Sequence, residues 1–221
     1  ARLLGYEIID QNNFSSPTLN KELNQDLSIL NKKSIILPLG EVKITRKINS
    51  ILIIFRMNTE IEIWDQNKKR LFEQPKIEYS KRALNSLIKS IEFCQIKYPD
   101  LKIKMIIVDD NSKDENLSVI EKLIRGKNIE IIKLQHEKYR ETIKKQKTEE
   151  TFSNLASLLK SFEIGKEQGE DLIFFVEDDY IHFEPMLEEM VASFERISSQ
   201  IKKDIFMCPA DYPYLYMNNE K

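Results

Sequence analysis

The chain has 221 residues but only two cysteines, and no apolar run approaches the ~20 residues that a membrane-spanning helix needs. Cys94 lies in an apolar helical pattern and Cys208 in an apolar strand-like run, and neither has the spacing of a metal ligand. We therefore expect two buried free thiols in a reducing compartment. Since no signal-peptide pattern is present, a cytoplasmic protein is predicted, with docking at the inner face of the membrane left open.

A strong excess of charge is also absent. The chain has 34 basic and 36 acidic side chains, which gives a formal net charge of -2, so the total does not indicate a nucleic-acid binder held by phosphate neutralisation.

Two glycine-rich phosphate-binding motifs are missing as well. No Gly-x-Gly-x-x-Gly follows the first predicted strand, and there is no Walker lysine loop. Hydride-transfer Rossmann enzymes and P-loop phosphotransferases are therefore disfavoured.

The chain is long enough for one sizeable α/β domain with a full hydrophobic core. Residues 1–47 are polar and irregular apart from the apolar stretch 35–37, and we interpret them as an N-terminal extension with room for one short strand. Residues 48–221 are predicted to form the domain itself. Because the chain starts at Ala1 and stops soon after Tyr214, a domain truncated at its C-terminus is compatible with the pattern.

Apolar runs of strand length alternate with apolar stripes at helical spacing. The predicted strands are 51–55, 103–108, 129–134, 172–176 and 205–208, and the predicted helices carry apolar stripes within 84–91, 117–124, 155–162 and 186–194. This alternation predicts right-handed crossovers and a mainly parallel sheet with helices on both faces. If the first four strands lie in the order 3-2-1-4, the ligand crevice is at their carboxyl ends, next to the first strand.

Two acidic clusters follow apolar runs and would meet at that crevice. Asp109-Asp110 ends the second strand, and Glu177-Asp178-Asp179 ends the fourth. Five carboxylates near one cleft repel one another unless a cation neutralises them, which points to a divalent metal and a polar ligand. The structural alternatives are a helix N-cap for the first cluster and a solvated turn for the second.

The segments 108–112 and 169–179, in this order and strand context, resemble the family 2 glycosyltransferases with the GT-A fold, of the bacterial surface-polysaccharide type. The resemblance covers about residues 50–210. It implies a GT-A, Rossmann-like α/β fold and a hexosyltransferase that depends on Mn²⁺ or Mg²⁺. The implied reaction moves a sugar from a nucleotide diphosphate donor, with a UDP-sugar as the first expectation, to a hydroxyl of a glycan or lipid-linked acceptor, with inversion.

The resemblance also implies roles for individual acids. Asp110 would read the base, with Asp109 close by, and Asp179 would be the metal ligand. Glu177 stands where the family has the first Asp of its metal motif and offers an oxygen ligand with longer reach. Asp178 or Glu177 would face the ribose or the bound sugar.

Basic and aromatic residues near these clusters have two readings each. Arg56, at the end of the first strand, either contacts the nucleotide or pairs with the acids. Lys145, with its neighbours Lys144 and Lys147, either binds the diphosphate or belongs to a solvated face. His182 could join the metal site or lie on the surface. The remaining candidates are Trp64, Tyr212, Tyr214 and Tyr216, which either stack on a sugar acceptor or pack against the domain.

The chain differs from the family pattern after the first strand, and two further residues need comment. The usual Pro-x-Tyr-Asn turn after the first strand is replaced by the segment 55–59 and a connection of about twenty residues. Inverting members take their catalytic base from an acid well after the metal motif, and Asp211 is the acid in a comparable position. His136 lies in a polar loop, and the pattern assigns it no role.

Two other classes of function stay open at the sequence level. One is a non-catalytic nucleotide- or glycan-binding module, which would bind without turnover. The other is a receiver-like signalling domain, which also has an acidic pair after a strand. A receiver needs that pair after its first strand, however, whereas here a complete strand and helix precede Asp109-Asp110.

Overall fold

The structure is a computed structural model that describes residues 22–23, 34–35, 42–60, 74–144 and 148–209. The chain divides into two compact units, one made of Ile48–Glu189 and the other of residues 1–47 with 190–221. The predicted site residues that the structure describes all belong to the first unit.

A four-stranded parallel sheet forms the centre of the first unit. Its strands are β3 (Ser50–Met57), β4 (Lys102–Asp109), β5 (Ile129–Lys133) and β6 (Leu172–Glu177). They lie in the order β5-β4-β3-β6, and every neighbouring pair is parallel. If these four strands alone are numbered 1 to 4 along the chain, their order in the sheet is 3-2-1-4. The predicted parallel α/β fold is thus confirmed, and the strand order is the one that was assumed in locating the crevice.

Helices lie on both faces of the sheet. Those within the first unit are α1 (Lys76–Lys97), α2 (Asp114–Ile124) and α3 (Glu149–Gln168), whereas α4 (Met186–Ile201) begins in the first unit and continues into the second. On one face, Leu52 and Ile106 pack with Ile164 of α3. On the other, Ile88 of α1 borders a small cavity together with Met105 of β4. Burying one such side chain contributes about 1.5–3 kcal/mol, so both faces of the sheet contribute to stability.

None of the helices within the described ranges is both long and apolar enough to cross a membrane.

Close packing of α3 on β6 depends on two glycines. A Cβ at Gly169 would lie 2.6 Å from the carbonyl oxygen of Gly165 and 2.7 Å from the side chain of Ile173, and one at Gly165 would lie 3.2 Å from Ile173. A larger residue at Gly169 would therefore push the helix away from the strand. On the same side, the rings of Phe162 and Phe175 meet edge to face with their centroids 5.2 Å apart.

The segment 205–208 corrects two predictions. It is described and contains no strand, and the side chain of Phe206 is fully exposed. A strand is stable only when its backbone pairs with a neighbour, and an apolar run alone does not provide that neighbour. Cys208, predicted to be a buried thiol, is exposed, whereas Cys94 is buried as expected.

The second unit contains a two-stranded antiparallel ladder and a cluster around Ser199. The ladder pairs β1 (Glu22–Leu23) with β2 (Ser34–Ile35). The hydroxyl of Ser199 accepts hydrogen bonds from the backbone amides of Thr45 and Arg46 at 2.9 and 3.0 Å. The Arg46 guanidinium donates to Asp204 at 2.9 Å.

Candidate functional site

The ends of three adjacent strands lie at one edge of the sheet. Met57 of β3 is level with Asp109 of β4, and Arg56 is level with Glu177 of β6. Parallel pairing therefore brings the starts of both acidic clusters to the same edge, although they are almost seventy residues apart in the sequence. The crevice predicted at the carboxyl ends of the strands is where the acids lie.

Asn58, the first residue after β3, connects the two acidic clusters directly. Its backbone amide donates to Oδ2 of Asp178 at 3.3 Å, and its side-chain amide donates to Oδ2 of Asp110 at 3.2 Å. The same side chain accepts a hydrogen bond from the backbone amide of Glu60 at 2.9 Å, which fixes its orientation. One residue thus links the carboxylates of Asp110 and Asp178.

Asp110 is buried within a network of hydrogen bonds. His136 Nε2 lies 2.7 Å from its Oδ1, and the Ser153 hydroxyl donates to its Oδ2 at 2.6 Å. His136 belongs to a short 3-10 helix (His136–Tyr139) that follows β5. The sequence pattern assigned no role to this histidine, and its contact with Asp110 shows that it belongs to the site. The available signal was its position just after a parallel strand, at the same edge of the sheet.

Asp109 is only 1 % exposed, and its Oδ1 has no hydrogen-bond partner among the described residues. Burial raises the pKa of its carboxyl, and the negative charge of Asp110 adds to this shift. Hydrogen bonds from Ser112 and the charge of Lys133 oppose the increase. Asp109 therefore lies below the surface of the site, next to Asp110.

Glu177 forms an ion pair with Arg56. The same guanidinium donates to the side-chain oxygen of Asn154 at 3.0 Å and to the hydroxyl of Ser157 at 3.2 Å, both on α3. Two roles were considered for Arg56, and the structure contains the pairing with the acidic cluster. The pair ties the ends of β3 and β6 to α3.

Asp178 is held by two residues of α1. Lys76 Nζ donates to its Oδ1 at 2.7 Å, and the Ser80 hydroxyl donates to its Oδ2 at 2.5 Å. The side chains of Lys76 and Asp178 are 14 % and 12 % exposed, so water screens the pair weakly. The sequence did not single out Lys76 or Ser80, because they lie about a hundred positions from the acid that they contact.

Asp179 differs from its two neighbours. Its side chain is exposed, and no described residue forms an ion pair with its carboxylate. Partial enclosure by the protein nevertheless raises its pKa, the charges of Glu177 and Asp178 raise it further, and Lys76 opposes the shift. A cation bound at Asp179 would relieve this repulsion.

Among the described residues, the acidic cluster offers a metal ion one free carboxylate, that of Asp179, and not a complete set of protein ligands. The described residues contain no group of three His, Cys, Asp or Glu side chains that could hold a metal, so His182 does not complete such a group. Mg²⁺ is often bound by one or two carboxylates together with phosphate oxygens and waters. Asp179 can supply one carboxylate, and Glu177 can supply a second only if it loosens its pair with Arg56.

A cavity of about 300 Å³ lies beside Asp110. It is lined by Asn58, Asn111, His136, Arg140, Glu149, Glu150, Phe152 and Ser153. Several of these residues are the hydrogen-bond donors that surround Asp110. The Arg140 guanidinium lies over the Phe152 ring, 4.8 Å from its centroid, so the wall on this side combines aromatic and charged surface.

Several predicted residues fall outside the described ranges. They are Asp211, Lys145, Lys147, Trp64, Tyr212, Tyr214 and Tyr216. Their roles stay predictions. Lys144 is described and exposed. His182 is described too: its Nε2 is buried without a partner among the described residues, and burial lowers its pKa.

Comparison with known proteins gives only weak structural similarities. No family model matches the chain, and no curated protein matches it significantly. The crystal structure of S. aureus TarS 1–349 is similar at 18 % identity with a TM-score of 0.35, covering 65 % of this chain and 31 % of that one. The crystal structure of S. aureus TarS is similar at 19 % identity with a TM-score of 0.33, covering 65 % of this chain and 19 % of that one. The crystal structure of S. aureus TarS 1–349 in complex with UDP-GlcNAc is similar at 19 % identity with a TM-score of 0.33, covering 66 % of this chain and 30 % of that one. The chain spans less than a third of the length of these structures.

Proposed function

We propose that the chain binds a nucleotide diphosphate sugar, with a UDP-sugar as the first candidate, and is a metal-dependent, inverting glycosyltransferase with the GT-A fold. The acceptor would be a hydroxyl of a glycan or a lipid-linked glycan. The observation that carries this proposal is the link through Asn58, which donates to Asp110 and to Asp178. One nucleotide can reach a base-reading acid and a metal motif only if the two lie in one crevice, as these acids do.

The distribution of charge in the second acidic cluster supports a metal bound together with the diphosphate. Arg56 neutralises Glu177 and Lys76 neutralises Asp178, whereas Asp179 has no cationic partner among the described residues. Asp179 would hold Mn²⁺ or Mg²⁺, with the diphosphate completing the coordination. When bound, such an ion offsets the charge that develops on the leaving diphosphate.

The proposed general base is Asp211, which would remove the proton of the acceptor hydroxyl. It lies outside the described residues, so its support is its position in the sequence after the metal motif. The acceptor surface proposed from Tyr212 and Tyr214 rests on the same argument. Lys145 remains a proposed contact of the diphosphate for the same reason.

Calorimetry with UDP and Mn²⁺ tests the binding site. The unmodified chain should bind UDP more tightly with Mn²⁺ than without it, and should bind Mn²⁺ weakly when no nucleotide is present. Asp179→Asn should lose the enhancement by Mn²⁺, because the remaining acids of the cluster already have cationic partners. Glu184→Gln is a matched control, since it removes another exposed carboxylate from the same region. UDP binding by Asp179→Asn with unchanged Mn²⁺ dependence would show that the metal assignment is wrong.

Turnover separates a transferase from a binding module. Donor hydrolysis or transfer by the unmodified chain, measured with UDP-sugars and Mn²⁺, supports the enzyme. Binding that shifts the melting temperature without any turnover supports a non-catalytic nucleotide-binding module.

A further inference from the structure

The carboxylate of Asp110 is surrounded by three donors. Its Oδ1 lies 2.7 Å from His136 Nε2, and its Oδ2 accepts from Ser153 Oγ at 2.6 Å and from Asn58 Nδ2 at 3.2 Å. A carboxylate offers about four acceptor positions in all. Because Asp110 is also only 4 % exposed, about one acceptor position is left for a ligand.

The orientation of His136 is set from its other side. Asn111 Nδ2 lies 3.0 Å from His136 Nδ1, and an amide nitrogen can only donate, so the hydrogen-bond pattern assigns the lone pair to Nδ1 and the proton to Nε2. That proton points to Asp110. Asn111 has a φ of 59°, in the left-handed region, which asparagine adopts more readily than most other non-glycine residues. In this conformation the Asn111 amide contacts the histidine.

The same residues form one wall of the cavity. Asn58, Asn111, His136 and Ser153 all line its volume of about 300 Å³, and the ring of Phe152 borders it as well. A planar heterocycle entering this space would meet Asn58, His136 and Ser153, the three residues that donate to Asp110. Ligand sites of this kind combine apolar walls with a few fixed polar groups that set specificity.

We propose that His136 is a specificity-determining positioning residue of the nucleotide site, a role that rests on the proposed function. By donating to Asp110, His136 fixes the carboxylate so that its remaining acceptor position favours a base with a ring N–H at its pairing edge. Uracil and guanine have such a group. Cytosine and adenine present a ring lone pair at the equivalent position, and a carboxylate repels it.

A comparison of UDP with CDP isolates this effect. The two ligands share the ribose and the diphosphate, so the contributions of the metal and the phosphates cancel in the ratio of their dissociation constants. One charge-assisted hydrogen bond corresponds to about a tenfold or greater preference, and the unmodified chain should prefer UDP by at least that factor.

Three variants test the role of His136 in this preference. His136→Phe keeps a ring beside Phe152 but removes the donor, and should reduce the preference for UDP over CDP to less than about threefold. His136→Gln restores an amide donor and should recover most of the preference. Lys138→Ala, an exposed position of the same 3-10 helix, is the control and should leave the ratio unchanged.

Asn111→Gly keeps the test valid if His136→Phe fails to fold. Glycine adopts a φ of 59° without strain, so this variant removes the hydrogen bond to His136 Nδ1 and relieves the backbone. It should lower the preference for UDP several-fold, and an unchanged ratio would count against the proposal.

The remaining outcomes distinguish failure of the inference from failure of the function. A full preference for UDP in His136→Phe, or equal binding of UDP and CDP by the unmodified chain, overturns the role of His136 while nucleotide binding stands. If the unmodified chain binds no nucleotide with or without Mn²⁺, the proposed function and this inference fall together.

Discussion

The ammonium of Lys76 lies 2.7 Å from the carboxylate of Asp178, so the central acid of the second cluster already has an internal cation. Ser80 and the backbone amide of Asn58 donate to the other oxygen of the same carboxylate. With both oxygens occupied, Asp178 is better placed to hold the crevice together than to bind a metal. This leaves Asp179 as the acid of the cluster that is open to a ligand.

Removing the ammonium of Lys76 should destabilise the fold. Lys76→Met leaves the weakly exposed carboxylate of Asp178 without its charged donor, and we expect a loss of about 2 kcal/mol in the free energy of unfolding. Urea denaturation at pH 7 measures it. Lys81→Ala breaks a more exposed pair with Glu78 on the same helix and should cost less than about 1 kcal/mol. Equal losses in the two variants would show that the Lys76–Asp178 pair contributes no more to the free energy of unfolding than an exposed pair does.

Asp211→Asn should lower the rate of sugar transfer by about 10²- to 10⁴-fold if Asp211 is the general base. Binding of UDP and Mn²⁺ should stay near that of the unmodified chain, because Asp211 is assigned to the acceptor and not to the donor. Rates measured at saturating donor separate these two effects. Near-normal turnover in a folded Asp211→Asn variant would remove this residue from the mechanism.

The half-buried side chain of His182 should make stability depend on pH. Its pKa is lowered by burial below the ordinary value of 6.5, so the unfolded chain takes up the proton first and is thereby stabilised relative to the native state. Stability is therefore expected to fall as pH decreases from about 6.5 towards the lowered native pKa, by at most about 1.4 kcal/mol per pH unit.

Denaturation at pH 7.5 and 5.5 checks this dependence. His182→Phe removes the titrating ring, while the backbone amide at this position can still donate to Ser86, so the difference between the two pH values should shrink. Phe183→Ser changes an exposed side chain of the same loop and should leave the difference as it is. The same difference in His182→Phe and in the unmodified chain would contradict the assignment.

The two thiols should react at very different rates. Cys94 is buried, and burial together with the charge of Glu188 raises its pKa to about 11, so little thiolate is present at pH 8. Cys208 is exposed. A thiol reagent should label one cysteine quickly in the native protein and both in urea, and peptide mapping identifies which one. Rapid native labelling of Cys94 would show that the helix around it opens.

The sequence was enough to predict the parallel sheet and the edge at which the two acidic clusters lie. Each of these depends on local patterns: continuous apolar runs for buried strands, helical stripes between them, and acids placed directly after Val108 and Val176. In a parallel sheet, residues that follow strands emerge at the same edge. The local patterns together with parallel pairing were therefore enough to predict where the acids meet. The segment 205–208 shows the limit, because an apolar run becomes a strand only where a neighbour pairs with it.

Only the tertiary structure decided which acid is neutralised and which is open. Lys76 lies 102 positions before Asp178, and His136 lies 26 positions after Asp110, yet both pairs are in hydrogen-bond contact. No spacing in the sequence indicates where a long cationic side chain or a loop histidine will reach, because that depends on how α1 and the 3-10 helix pack against the sheet. The sequence therefore determined where the acids gather, and the packing of distant elements determined their partners.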